Sequence, residues 1–226
     1  LAEQIPQLVG TGIIYTLTTG DAETVATWLQ KNGIKADAYY SFVEHPDFPN
    51  SDSYRRNLED RLLNNDLKVL VATTALGMGY DKPDLGFVIH YQAPGSVVAY
   101  YQQVGRAGRA IDHAYGILLS GEEDQDIHEH FWRAAFPPEH RVNEILKLLD
   151  DSNGLYVFQL QRKVNLRNSQ IEHVLKLLQV ENPSPIVKSG YKWYRTPVDY
   201  KMDHERIEFL TNQRQKEWEE IQRYID

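Results

Sequence analysis

With 226 residues, 42% of them hydrophobic and 11% aromatic, the chain is long enough to pack one large domain or two small ones. No run approaches the roughly 18 consecutive apolar residues that cross a bilayer, the first residues are not a signal peptide, and no cysteine is present for a disulfide or a thiolate metal site within these residues. A cytoplasmic protein with no membrane partner is the expectation. The formal charge of −8 is unevenly spread: residues 1–136 carry 10 Lys and Arg against 18 Asp and Glu, whereas residues 137–226 carry 14 of each. Within the latter, residues 155–201 hold 8 basic and 3 acidic side chains, a local +5 that suits contact with a polyanion.

In chain order, residues 12–18 (GIIYTLT), 35–40 (KADAYY), 68–73 (KVLVAT), 85–91 (LGFVIHY) and 115–120 (YGILLS) read as short buried strands. A helix is expected to begin near Asp21, with Val25, Trp28 and Leu29 on one face. A second begins near Ser53, with Tyr54, Leu58 and Leu62 at four-residue spacing, and a third takes Ser96 as its N-cap. EEDQD (122–126) reads as a solvated helix start. Strands alternating with helices predict an α/β fold with a doubly wound, mostly parallel sheet, which binds ligands beyond the carboxyl ends of its strands.

The pattern changes at Pro137–Pro138. RVNEILKLLD predicts an amphipathic helix closed by Asn153–Gly154, and a second helix runs through Phe158 to Val164. SQIEHVLKLLQ opens with a capping box between Ser169 and Glu172, and IVKSGYKWYR predicts a hairpin turning at Ser189–Gly190. Three helices and a hairpin are the layout of a winged helix. The expected domains are therefore 1–136, 137–200, and a terminal helix over 201–226.

Two stretches carry chemistry. In YYQQVGRAGRA (100–110) a helix from Ser96 brings Arg106 and Arg109 onto one face, where two permanently charged forks suit a polyphosphate. The bland reading is a pair of surface arginines on a solvated turn. VATTALGMGYDKPD (71–84) follows a strand and offers Thr73, Thr74, Gly77, Gly79 and Asp81 as an anion cradle, or else is a glycine-rich connector. The dinucleotide fingerprint G-x-G-x-x-G fails there at Lys82. His128 and His130, two apart, make a poor metal pair.

The continuous stretch from Gly12 to about Pro137 resembles the second motor lobe of RecQ-like superfamily 2 DNA helicases, with motif IV near residues 12–40, motif V at residues 71–84 and motif VI at residues 102–109. The resemblance implies a RecA-like lobe in which Arg106 and Arg109 reach the ATP γ-phosphate as arginine fingers. It places Gly79 and Asp81 near the nucleotide, Gln102 as the link between nucleotide state and closure, and Thr16, Thr18, Thr73 and Thr74 on single-stranded DNA. It implies ATP-driven translocation and unwinding in DNA repair and recombination, with DNA strands and junctions as partners.

Neither G-x-x-x-x-G-K-[ST] nor D-E-x-[HD] occurs in the chain. ATP and Mg2+ are therefore expected to be held mainly by a first lobe outside these residues, and the chain to be a fragment that is inactive alone. The loop YYSFVEHPDFPNSDSYRR and the Ala110–Ile111 pair depart from the usual family pattern. The winged segment resembles a bacterial RecQ-like subgroup with such an insertion, in which zinc would be bound only beyond residue 226. On the winged segment Arg162, Lys163, Arg167 and Lys192 are candidates for DNA phosphates, with Asn168, Lys176, Lys188 and Arg195 nearby. Trp193 is either an aromatic wing tip stacking on a terminal base pair or a core residue. Beside the helicase stands a second class: a non-catalytic binding module on a retained RecA-like fold. The oligomeric state is not legible.

Overall fold

The computed structural model describes residues 1–77 and 79–225; Met78, part of the glycine-rich string, and the terminal Asp226 lie outside the described residues. The chain forms two compact units, Leu1–His128 with the segment from Arg214 on, and Glu129–Gln213.

The first unit is an α/β domain on five parallel strands: β1 (Thr11–Tyr15), β2 (Ala36–Tyr39), β3 (Val69–Ala72), β4 (Leu85–His90) and β5 (Tyr115–Leu118), ordered β2-β3-β1-β4-β5. Every residue of β1, β3 and β4 is buried, which is why they read as continuous apolar runs: helices cover both faces of a parallel sheet. On one face α1 (Thr19–Lys31) sets Ala22, Val25 and Leu29 against Ile14, Val71 and Ile89. On the other, α2 (Ser51–Leu63) sets Tyr54, Leu58 and Leu62 against Ile13, Leu70 and Val88. The doubly wound expectation holds.

Local differences have local causes. Trp28 lies off the buried stripe of α1 and is 46% exposed. β5 is an edge strand with one neighbour, so its residues are half-buried or exposed rather than buried. EEDQD is not wholly solvated: Asp124 is buried and accepts hydrogen bonds from the amides of Ala93 (2.8 Å) and Gly121 (3.4 Å). It thereby ties the start of α4 (Glu123–Ala134) to the segment after β4. His128 is buried too, donating from Nε2 to the Ala93 carbonyl (2.9 Å) and packing on Trp218.

The second unit contains α5 (Glu139–Asp150), α6 (Val157–Lys163), α7 (Asn168–Gln179) and a hairpin of β6 (Ile186–Ser189) and β7 (Lys192–Arg195). The helix α8 (His204–Ile225) contributes its first half here and its last residues to the first unit. Val142, Ile145, Leu149, Leu160, Ile171, Val174 and Leu178 are the core. Leu155 pairs with Trp193 through both backbone bonds (2.9 and 2.8 Å), a single-residue bridge beside the hairpin.

Several expected signals are displaced here. α5 stops at Asp150, before Asn153–Gly154. Gly154 has φ +84° and lies so close to Tyr194 that a Cβ would fall 2.3 Å from its ring. The Ser169–Glu172 box is not formed, because the N-cap of α7 is Arg167, two residues earlier, and the Gln170 side chain accepts from the Arg167 amide (3.0 Å). The hairpin turns at residues 190–191, since Ser189 already pairs with Lys192. The exposed tip is therefore Tyr191, while Trp193 points into the core at 6% exposure. Alternation along the strand sends residue 193 to the helix side. Trp193 is not a stacking wing tip.

Two outcomes follow from this packing. Trp193→Ala should cost about 3–5 kcal/mol of stability in the second unit, read by denaturant unfolding. In the first unit His90 is fully buried between Tyr15 and Tyr100, its Nε2 bonded to Gln103 Oε1 (2.8 Å), and burial pushes its pKa down to about 4. Above pH 6.5 both folded and unfolded histidine are neutral; between pH 6.5 and about 4 only the unfolded chain takes up the proton. Stability should fall by about 2.5 kcal/mol from this residue on going from pH 7 to 4.5. His90→Phe should remove that part of the slope in a pH series of thermal melts, leaving the same-direction contribution of buried His128.

Candidate functional site

The arginine-bearing loop is built by a short helix and two glycines. α3 (Val97–Val104) begins as expected at Ser96, whose Oγ accepts from the Ala99 amide (3.1 Å). It ends at Val104, so Arg106 and Arg109 stand on the loop after the helix and not on its face. Gly108 takes φ +78°, a left-handed conformation that ends any helical continuation. Two backbone bonds then pin the loop, from the Gly108 amide to the Leu85 carbonyl (3.0 Å) and from the Ala110 amide to the Pro83 carbonyl (2.9 Å).

The opposing wall is the crossover from β3 to β4, in which no helix occurs among the described residues. Lys82 anchors it. Its side chain is fully buried, and Nζ donates to the Leu63 carbonyl (3.2 Å) and to Asp84 Oδ1 (2.8 Å). That hydrogen bond holds the Asp84 carboxyl below its ordinary pKa. The anchored backbone offers the Tyr80 carbonyl to Arg106 Nη1 (2.9 Å) and the Asp81 carboxylate to Arg109 Nη1 (2.9 Å).

The two arginines are thus held differently. Arg106 is half-buried, its Nε enclosed without a hydrogen-bond partner among the described residues, close enough to Tyr15 that its charge offsets part of the burial that raises the phenol to about 12. Arg109 and Asp81 are both about half exposed, at 50% and 57%. Between them lies a concavity of about 390 Å³ lined by Gly79, Asp81, Gln102, Arg106, Arg109 and the exposed Tyr101. Two guanidiniums and one carboxylate on an open cavity fit a polyphosphate ester: the arginines bind its negative oxygens and the carboxylate can accept from hydroxyls.

The two phosphate-friendly stretches do not meet at the carboxyl edge of the sheet. The crossover, without a helix among its described residues, carries Asp81 back toward the start of β4, where the arginine loop is pinned. The threonines remain at the carboxyl edge, where β1 and β3 are neighbours and the Thr16 amide bonds the Ala72 carbonyl (2.9 Å). Their hydroxyls are largely engaged. Thr16 is buried and donates to the Thr18 carbonyl (3.1 Å), Thr18 caps α1 through Asp21, and Thr73 Oγ1 accepts from the Ala75 amide (3.3 Å). Thr74 is exposed. Gln92 braces this edge, accepting from the Leu17 amide (2.8 Å) and donating to Asp21 (3.0 Å). Neither Gln92 nor Gln103 carries a sequence signal that separates it from a surface glutamine.

In the second unit Arg162, Lys163 and Arg167 are exposed and Lys192 half-buried; none has an acidic partner among the described residues. Arg195, by contrast, is spent internally, on Asp150 and on the carbonyls of Pro185, Thr196 and Val198. No group of three or more His, Asp or Glu side chains among the described residues could hold a metal ion.

Residues 3–111 match the family described as helicase conserved C-terminal domain. The ATP-dependent DNA helicase RecQ of Bacillus subtilis is 33% identical over 137 residues, covering 61% of this chain and 22% of that protein. The ATP-dependent DNA helicase Q1 of Rattus norvegicus is 42% identical over 113 residues, covering 50% and 17%. The chain thus spans less than a quarter of the length of these relatives. Among solved structures, a DEAD box protein from Methanococcus jannaschii is 26% identical with a TM-score of 0.43, covering 56% of this chain and 33% of that one. Residues 3–111 are therefore similar to the helicase conserved C-terminal domain, and part of the chain is similar to RecQ-type DNA helicases.

Proposed function

We propose that this chain is the arginine-bearing part of an ATP-dependent DNA helicase, in which it couples ATP hydrolysis to movement along single-stranded DNA and to duplex unwinding. The observation that carries the reading is the pairing of Arg109 with Asp81 at half exposure beside Arg106, over an open cavity. An arginine kept only for stability would bury its fork on fixed acceptors, as Arg195 does. Arg109 instead has a partner it can exchange for a phosphate oxygen.

ATP supplies a transferring phosphoryl group on which negative charge must be stabilised. Arg106, fixed by the Tyr80 carbonyl, serves as the set contact, and Arg109 leaves Asp81 to meet the γ-phosphate. Asp81, once released, accepts from a ribose hydroxyl. Gln102, exposed on the same wall, reports the occupied state to the apposed lobe. The 226 residues contain no phosphate loop and no D-E-x-[HD] box, so the phosphate-gripping lysine and the acid that holds Mg2+ come from that lobe. Arginines that grip only while γ-phosphate is present favour the closed form with ATP and release it after hydrolysis. At the carboxyl edge, Thr74 and the backbone around Thr16, Thr18 and Thr73 contact the DNA strand; Arg162, Lys163, Arg167 and Lys192 contact phosphates from the second unit.

Steady-state ATPase assays test the nucleotide side. The chain by itself should show no DNA-stimulated turnover. In a protein that also carries the phosphate loop, Arg109→Ala should lower kcat by about 100-fold or more, change KM for ATP far less, and leave the melting temperature unchanged. Arg106→Ala should lower kcat similarly and also lower the melting temperature, because it strips the Tyr80 carbonyl of its partner. Near-normal turnover in both variants would return the arginines to a structural role and the chain to a non-catalytic binding module.

A further inference from the structure

The basic surface of the second unit has an aromatic component that the cation pattern alone does not explain. Residues 152–171 contain Arg162, Lys163 and Arg167 and no acid; residues 182–198 contain Lys188, Lys192 and Arg195 and no acid. The Leu155–Trp193 bridge brings these two stretches side by side. At the junction Tyr156 and Phe158 stack, with ring centroids 5.4 Å apart at 23°. Lys192 Nζ lies 5.2 Å from the Tyr156 centroid and the Arg162 guanidinium 5.6 Å from that of Phe158. The Tyr156 amide donates to Gln159 Oε1 (3.0 Å), which caps the start of α6 next to the rings in sequence. Phe158 is nevertheless 53% exposed.

From this we infer that Phe158, backed by Tyr156 and flanked by Arg162 and Lys192, is a stacking site for an unpaired base of single-stranded nucleic acid. The inference rests on the reading of the chain as a DNA-acting protein and moves the stacking function from buried Trp193 to a different element. A half-exposed phenyl ring has no polar atom with which to meet a duplex backbone, and a duplex hides its base faces. An unpaired base offers a free π-face, worth about 1–3 kcal/mol per stacked base. The unpaired cations on either side neutralise the phosphates that flank such a base. Arg162 covers a face of Phe158 until the base takes its place, and its long side chain then reaches a phosphate. An acidic peptide would satisfy the cations and leave the ring unused.

Fluorescence anisotropy on the whole chain separates these partners, with three probes of equal length: oligothymidylate, an abasic strand of the same charge, and a blunt duplex. Phe158→Ala should weaken oligothymidylate binding by roughly 5- to 100-fold, leaving the abasic strand and the duplex within about twofold. Phe158→Trp should restore the loss. Arg162→Ala with Lys192→Ala should weaken all three probes and flatten their salt dependence. Unchanged oligothymidylate affinity in Phe158→Ala would overturn the inference, as would equal losses on the base-bearing and abasic strands. A Phe158→Ala loss that comes with a lowered melting temperature and is not restored by Trp would make the ring structural. None of these readouts depends on ATP, so the nucleotide reading can fail while this one stands, and the reverse.

Discussion

The geometry of the arginine-lined cavity depends on one buried lysine. Lys82 carries an ammonium into the interior, where leaving it unpaired would cost several kcal/mol, and offsets that with the Leu63 carbonyl and the Asp84 carboxylate. The first of these partners belongs to the end of α2 and the second to the approach to β4. Because β3 and β4 are joined without a helix among the described residues, this anchor and the bond from the Ala110 amide to the Pro83 carbonyl fix where that crossover runs. Tyr80 and Asp81 precede Lys82 directly, so the pin that satisfies one charge also sets the acceptors that hold Arg106 and Arg109.

A consequence is that the two arginines, identical in the sequence pattern, differ in kind. Arg106 is immobilised against a carbonyl with its Nε enclosed, whereas Arg109 is held by an exchangeable, solvent-screened ion pair of the sort worth little to stability. A fixed cation and a movable one suit a site that must recognise a phosphate and also respond to its arrival. Behind Arg106 the stacked rings of Tyr15 and His90, and the Gln103 contact, link the loop to the central strands.

The second unit sorts its cations by the same logic. Arg195 and Arg206 are paired with Asp150 and Glu181, whereas Arg162, Lys163, Arg167, Lys188 and Lys192 have no acidic partner among the described residues, and Arg162 and Lys192 lie over Phe158 and Tyr156. In a chain of net charge −8, basic side chains without acidic partners among the described residues, beside the exposed ring of Phe158, are a local reversal of the general field. That reversal is what a polyanion would detect at short range, since charges beyond about 10 Å are screened at ordinary ionic strength.

The sequence by itself determined the fold class and the order of most secondary elements, though not all of their ends. Runs such as VLVA and GFVIH can only be buried parallel strands when helices flank them, and the spacing of Tyr54, Leu58 and Leu62 can only face a core. The arginine pair and the Gly79–Asp81 stretch were legible because residue type and spacing carry their chemistry. Tertiary structure decided the rest. It ended α3 before the arginines, paired Arg109 with Asp81, engaged the Thr16 and Thr18 hydroxyls, and turned Trp193 inward while leaving Phe158 out. These outcomes depend on which residues distant in sequence become neighbours. A one-residue shift of a hairpin turn reverses the side a tryptophan faces, and only the packed core selects between the two.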